Sequence, residues 1–326
     1  MKNKKFAKYF KEYQWSNISA MIRNNRREPL VCDLDFRGKL VVISGATSGI
    51  GYMAAHEYAS HGANILCINR NHEKSITLKD ELEGEFGIRC DYLLADLSKI
   101  DDIKRVAGEL LACKHHIDVI IHNAGVYLTR RELTEPGYDK VFVVQYLASF
   151  IINCILAEKL KNSGKTRIIL VNSEGHRFAA WGLHLDDLNW EKRRYSGLKS
   201  YGSAKLAQLL SMLIFAELFH GTSVTINAMH PGAVKTETGQ ENGPLYRWMK
   251  RNFLDRSLRP AQISATALYY LGVAREMDGV SGKFFNLTTE EEPAPPALDK
   301  EAARELWSKS IEMTGLQDPS LNAEQS

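Results

Sequence analysis

The residue pair with the clearest chemical potential is Tyr201 and Lys205, four positions apart in Tyr201-Gly-Ser-Ala-Lys205 at the start of a strongly helical stretch. That spacing places both side chains on one helix face, one turn apart. A tyrosine ionises near pH ~10 and is a poor base at neutrality. An ammonium beside it favours the phenolate, so the phenol can take a proton from an alcohol or return one to a carbonyl oxygen. Ser173 follows the apolar run Arg167-Ile-Ile-Leu-Val-Asn172. A hydroxyl at such a strand end can hydrogen-bond a substrate oxygen.

A second constellation has the character of a phosphate site. The run Leu40–Ser44 leads into Ser44-Gly45-Ala46-Thr47-Ser48-Gly49-Ile50-Gly51 and then into a helix. Glycines there permit positive φ and close backbone approach, while the helix start offers free N–H groups to a pyrophosphate. The spacing is G-x-x-x-G-x-G rather than the commoner G-x-G-x-x-G. Arg70 stands just past the next apolar run, where an adenosine ribose is read. An acidic residue would accept the 2′-hydroxyl there, whereas Arg pairs with a 2′-phosphate, so Asn69-Arg70 favours NADP(H) over NAD(H).

The elements that must hold these groups are legible as short, continuous apolar runs: Leu40–Ser44, Asn64–Asn69, Cys90–Leu94, Val119–Asn123, Ile168–Asn172, Val224–Met229 and Lys283–Phe285. Segments long enough for crossover helices, such as Gly51–Ser60 and Asp102–Ala112, separate most of them. This alternation predicts an α/β fold: a doubly wound, mostly parallel seven-stranded sheet with helices on both faces. It spans about residues 37–289, with a basic N-terminal extension (1–36) and a C-terminal extension (290–326) carrying a helix near Glu301–Ile311.

Composition excludes several classes. The net charge is +3, but eight Lys/Arg against Glu12 and Glu28 give residues 1–30 a charge of +6 and leave −3 for the rest. A basic arm on a mildly acidic body argues against a nucleic-acid-binding domain. Lysines interleaved with Phe6, Tyr9, Phe10, Tyr13 and Trp15 are compatible with peripheral contact to an anionic membrane, or with a solvated or oligomer-packing helix. Five scattered cysteines with no C-x-x-C suggest neither disulfides nor a metal site, and point to the cytoplasm. Val141–Ala157 is strongly apolar but interrupted by Gln145, Ser149 and Asn153, which predicts a buried core helix rather than a membrane span.

Taken together, these motifs resemble the short-chain dehydrogenase/reductase family from about Asp35 to Leu287. The glycine turn resembles its T-G-x-x-x-G-x-G, with Ser44 for Thr. His122-Asn123-Ala124-Gly125 resembles its N-N-A-G, and Asp96-Leu97 its adenine-contacting pair. Pro231-Gly232-Ala233-Val234-Lys235-Thr236 is similar to the loop beside the nicotinamide. Ser173, Tyr201 and Lys205 match its catalytic serine, tyrosine and lysine. Leu185-Asp186-Asp187-Leu188-Asn189-Trp190 and Ser203–Leu210 resemble the retinol-dehydrogenase-like branch, whose members act on lipophilic alcohols and carbonyls.

The resemblance implies a Rossmann-type, NADP(H)-dependent alcohol dehydrogenase or carbonyl reductase and a homo-oligomer. Its cofactor contacts would be Gly45, Thr47, Ser48, Gly49, Ile50, Gly51, Arg70, Asp96, Leu97, Asn123, Ala124, Gly125, Tyr201, Lys205, Pro231, Gly232, Val234 and Thr236. Where the family places an asparagine that holds a relay water, this chain has Gln145. That departure, with the extra termini, motivates a second reading: a nucleotide-binding regulatory or scaffold protein of low turnover. Ala179–Leu183 and Thr238–Leu254, with Trp181, Tyr246, Trp248 and Phe253, are expected to wall the substrate pocket.

Overall fold

The computed structural model describes residues 8–14, 23–24, 27–232, 234 and 259–321. In chain order its elements are β1 (Leu40–Ser44), α1 (Gly49–Ser60), β2 (Asn64–Asn69), α2 (His72–Phe86), β3 (Cys90–Leu94), α3 (Ile100–Ala112), β4 (Val119–His122), α4 (Lys140–Ser163), β5 (Thr166–Val171), α5 (Gly197–Leu218), β6 (Val224–His230), α6 (Gln262–Val273), β7 (Phe284–Asn286), β8 (Thr289–Glu290) and α7 (Lys300–Thr314). The sheet order is β3-β2-β1-β4-β5-β6-β7-β8. The first seven strands are parallel and β8 pairs antiparallel to β7.

Apolar residues at successive positions fill both faces of the central strands. Every residue of β4 and β5 is buried. One core lies under α1, α2 and α6, the other under α3, α4, α5 and α7. The strand order reverses between β1 and β4, which opens a crevice at the carboxyl ends of the strands. Local signals set the helix limits. Asn71 caps α2 through Lys74 N–H, and Asp299 caps α7 through Glu301 and Ala302 N–H. Gly87 and Gly315 end these two helices in the left-handed conformation.

Helix α4 is long and apolar enough to cross a membrane, yet 89% of its most apolar window is buried inside the protein. It is the expected core helix. Near its start a π turn, Val143–Leu147, widens the coil and centres on Gln145.

One expectation needs correction. The sheet has eight strands, not seven, because the chain turns at Leu287 (φ 53°) and returns as the two-residue β8. Two residues are too few to register as a periodic run. In the N-terminal stretch the described residues Lys8–Phe10 and Arg23–Asn24 are helical, and most of the expected helix lies outside the described residues.

Both flanks pack onto the α/β body. Trp307 of α7 sits edge-on to Phe150 and Phe215 at 5.0 and 4.8 Å, and Tyr146 hydrogen-bonds Ser310 at 2.7 Å. Tyr9 is buried with its hydroxyl 2.5 Å from Asp299, and Tyr13 donates to Ala180 O at 2.9 Å.

Candidate active site

The carboxyl ends of β1, β2, β3, β4, β5 and β6 all open onto one crevice of about 560 Å³. At its centre lies the glycine turn. Gly45 adopts φ +70° and Gly49 φ +58°, both left-handed. Ser44 Oγ accepts the N–H groups of Asn123 and Ala124, each at 3.0 Å. Asn123 Nδ2 donates back to the carbonyls of Ser44 and Gly45, at 3.1 and 2.9 Å. Asn69 Oδ1 accepts from Ala46 N at 2.9 Å. Three strand ends therefore lock the turn before α1 begins. Ser48, at the N-cap of α1, makes no side-chain cap bond, and the helix start faces the crevice with its positive dipole end.

At one end, Arg70, Asn71, Lys74, Asp96, Leu97, Ser98 and Lys140 line the wall. Burial raises the Asp96 carboxyl, but hydrogen bonds from Ser98 and the Arg70 charge outweigh it and hold Asp96 below the usual carboxylate range.

At the opposite end stand Ser173, Tyr201, Lys205 and Gln145. Lys205 Nζ lies 5.9 Å from the centroid of the Tyr201 ring and donates to Val171 O at 2.7 Å. Asn172 braces the pair: its amide nitrogen donates to Lys205 O at 3.0 Å and to Gln208 at 2.8 Å, and its oxygen accepts Ser173 N–H. Ser173 Oγ accepts Gly175 N–H at 3.0 Å, and its hydroxyl favours the ionised form of the Tyr201 phenol. A Cβ on Gly175 would stand 2.6 Å from the Tyr201 ring, so glycine is what admits the phenol.

Burial dominates the electrostatics of this pair. Burial pushes the Lys205 ammonium down to about 7. Burial also pushes the Tyr201 phenol upward, and the Ser173 hydrogen bond opposes the rise without cancelling it. In the polypeptide by itself desolvation penalises both charged forms, whereas the expected lowering of the phenol needs the lysine together with the positive ring of an oxidised nicotinamide.

Most residues expected at the site converge on this crevice: Gly45, Thr47, Ser48, Gly49, Ile50, Arg70, Asp96, Leu97, Asn123, Ala124, Gly125, Gln145, Ser173, Tyr201, Lys205, Pro231, Gly232 and Val234. Gly51 does not line it. A Cβ there would come within 2.2 Å of Gly45 O, so this glycine lets α1 abut the turn. Thr236 and most of the expected pocket wall, including Tyr246, Trp248 and Phe253, lie outside the described residues. Gln145 sits in the wall with Nε2 donating to Val126 O at 2.8 Å and Oε1 buried without a hydrogen-bond partner.

Sequence reasoning missed Lys74, Tyr127, His176 and His230. Lys74 follows Arg70 by one helical turn, a spacing open to inspection. His230 immediately precedes Pro231 and lines the crevice, with Nδ1 accepting Glu174 N–H at 3.4 Å. Behind Ser173, Arg177 bridges Glu174 at 2.5 Å and Glu291 at 3.0 Å. Burial, reinforced by Glu291 and opposed by Arg177, raises Glu174 to about 7.

An elongated crevice at the switch point, with a glycine turn at its middle and a Ser-Tyr-Lys set at one end, defines a dinucleotide-dependent oxidoreductase. Comparisons narrow the class. Residues 39–182 match the short chain dehydrogenase family. The chain is 34% identical to retinol dehydrogenase 13 of Mus musculus over 286 residues, covering 86% of this chain and 84% of that protein. It is 32% identical to retinol dehydrogenase 14 of Homo sapiens, covering 86% and 87%. Among solved structures, an NADP complex of a short chain dehydrogenase from Burkholderia cenocepacia shares the fold with a TM-score of 0.61 at 18% identity, covering 80% of this chain and 99% of that one.

The chain belongs to the short-chain dehydrogenase/reductase family, on its retinol-dehydrogenase-like branch, and is an oxidoreductase acting on CH–OH groups of small molecules. The family's cofactor is NAD(P), and the residues present fit it: the glycine cradle, the open start of α1 and the strand-end wall together suit a pyrophosphate flanked by two ribosides.

Proposed function

We propose that the protein interconverts lipophilic alcohols with the corresponding aldehydes or ketones, using NADP(H) and Tyr201 as acid/base. The observation that carries this reading is the meeting of Ser173, Tyr201 and Lys205 at one end of a crevice whose other end is lined by Arg70 and Lys74. The cofactor, when bound, supplies or accepts the hydride at its nicotinamide ring.

The chain's own residues do the rest. Gly45, Thr47, Ser48, Gly49 and Ile50 would hold the pyrophosphate, and Asp96 and Leu97 the adenine. Asn123, Ala124, Gly125, Pro231, Gly232, Val234 and Thr236 would position the nicotinamide half. Arg70, with Lys74 beside it, would pair with a 2′-phosphate. Ser173 accepts from Gly175 N–H, which leaves its own proton to orient a substrate oxygen or support the phenolate. Tyr201 moves the proton at its hydroxyl oxygen. Lys205, poised near neutrality, adds positive charge that favours the phenolate and holds the nicotinamide ribose. Gln145 would take the place of a relay asparagine, its unpartnered Oε1 being the group able to hold a water.

The lipophilic substrate class is supported by the relatives' names and by the half-exposed aromatics Phe178 and Trp181 near the serine. Residues 37–289 are proposed as the catalytic unit, in a cytoplasmic setting.

A cofactor-oxidation screen tests the reading. Purified protein should consume NADPH faster than NADH, and retinal or long-chain aldehydes faster than short hydrophilic ones. Turnover confined to NADH, or to sugars and short polar ketones, would overturn it.

A further inference from the structure

Directly behind Ser173 lies a side chain that the chemistry above does not use. His176 is fully buried in the short helical turn Glu174–Ala179, edge-on to Phe284 at 5.1 Å. Both of its ring nitrogens are engaged. Nε2 accepts the Ala294 N–H at 3.0 Å, so in the neutral ring the proton sits on Nδ1. Nδ1 then donates to Ser173 O at 2.8 Å, and the His176 backbone N–H reaches the same carbonyl at 3.1 Å.

From this geometry we infer that His176 is a positioning residue, clamping the Ser173 backbone to the C-terminal segment so that the serine hydroxyl points its proton at Tyr201. With the carbonyl held, the turn places Gly175 N–H on Ser173 Oγ at 3.0 Å. The oxygen's acceptor role is thereby filled from one side, and its proton is directed to the phenol oxygen. The C-terminal extension thus reaches the chemistry through Ala294, a buried residue held among Pro293, Pro295 and Pro296. The other titratable or charged groups around this pair are Lys205 on the same helix as Tyr201, Tyr127 with its ring 6.0 Å away, and Glu174, Arg177 and His230.

The inference rests on the roles given above to Ser173 and Tyr201, and the test separates the two. Four full-length variants are compared: His176→Asn, whose amide N–H replaces the Nδ1 donor; His176→Gln, whose carbonyl replaces the Nε2 acceptor; His176→Phe, which keeps only the ring; and Tyr201→Phe. The readouts are NADPH binding by fluorescence, melting temperature, and the pH profile of kcat for oxidation of a long-chain alcohol.

His176→Gln should melt near the wild type and bind NADPH within twofold, yet lose kcat by about ten- to a hundredfold as Ser173 drifts. Its rising limb should move up by about one pH unit, because a phenolate that loses a donor is harder to form. His176→Asn should recover most of kcat while melting lower. His176→Phe, if it folds, should follow His176→Gln in activity. Equal kcat and limb in the Asn and Gln variants would overturn the inference. A fully active Tyr201→Phe would instead overturn the acid/base reading beneath it.

Discussion

The two ends of the crevice are built on opposite principles. At one end Arg70 and Lys74 are exposed, and their charges work through water. At the other end Lys205 is 4% exposed, and burial moves its ammonium and the Tyr201 phenol in opposite directions. Selection between similar cofactors needs only a modest, screenable preference, which exposed cations provide. Proton transfer needs groups whose two charge states are close in free energy, which desolvation brings about. The glycine turn between them belongs to neither regime, since it acts by shape.

Substitutions should sort along that division. The largest effect short of the acid/base group is expected at the middle. Gly51→Ala forces a Cβ to within 2.2 Å of Gly45 O and 2.5 Å of Asn123 Nδ2. It should cost about 1–3 kcal/mol of stability and weaken NADPH binding by about a hundredfold; titration and melting check both, and wild-type affinity would refute the packing argument. A smaller effect is expected at the exposed end. Arg70→Ala should remove about tenfold of the NADPH-over-NADH preference, and in the unmutated protein that preference should shrink with added salt. A salt-independent preference would place its source away from these surface cations.

Buried titratable groups make a prediction about stability. Burial lowers His122 to about 4 and His176 to about 3 in the folded protein. As pH falls below the unfolded value of ~6.5, the unfolded chain takes up these protons first, so stability present at neutrality is withdrawn between ~6.5 and ~4. Each should cost roughly 2–3 kcal/mol by pH ~4.5, and the two together about 5 kcal/mol. Urea unfolding at pH 7 and 4.5 reads this, and a His122→Asn variant should show a flatter slope. Equal midpoints for the unmutated protein at the two pH values would contradict it.

The contrast also explains what the sequence disclosed. Strands such as Leu40–Ser44 and Val119–His122 lie close to where their apolar runs put them, because a strand covered on both faces must be apolar throughout. Tyr201, Lys205 and the glycine turn were legible because each depends on local spacing. His176 was not, since its partner Ala294 is 118 positions away and only the tertiary fold joins them. At Gly51 glycine spacing showed that a backbone comes close, but not that the neighbour is the Gly45 carbonyl. The Tyr201 phenol was expected to be lowered because a neighbouring charge is visible in sequence while the depth of burial is not.

The central claim is that the phenol of Tyr201 moves the proton at the buried end. Stopped-flow single-turnover oxidation of a long-chain alcohol, with NADP+ bound beforehand, tests it with binding separated from chemistry. Tyr201→Phe should bind NADP+ as tightly as the unmutated protein and form NADPH at least about a thousandfold more slowly. Tight binding with an undiminished rate would contradict the account.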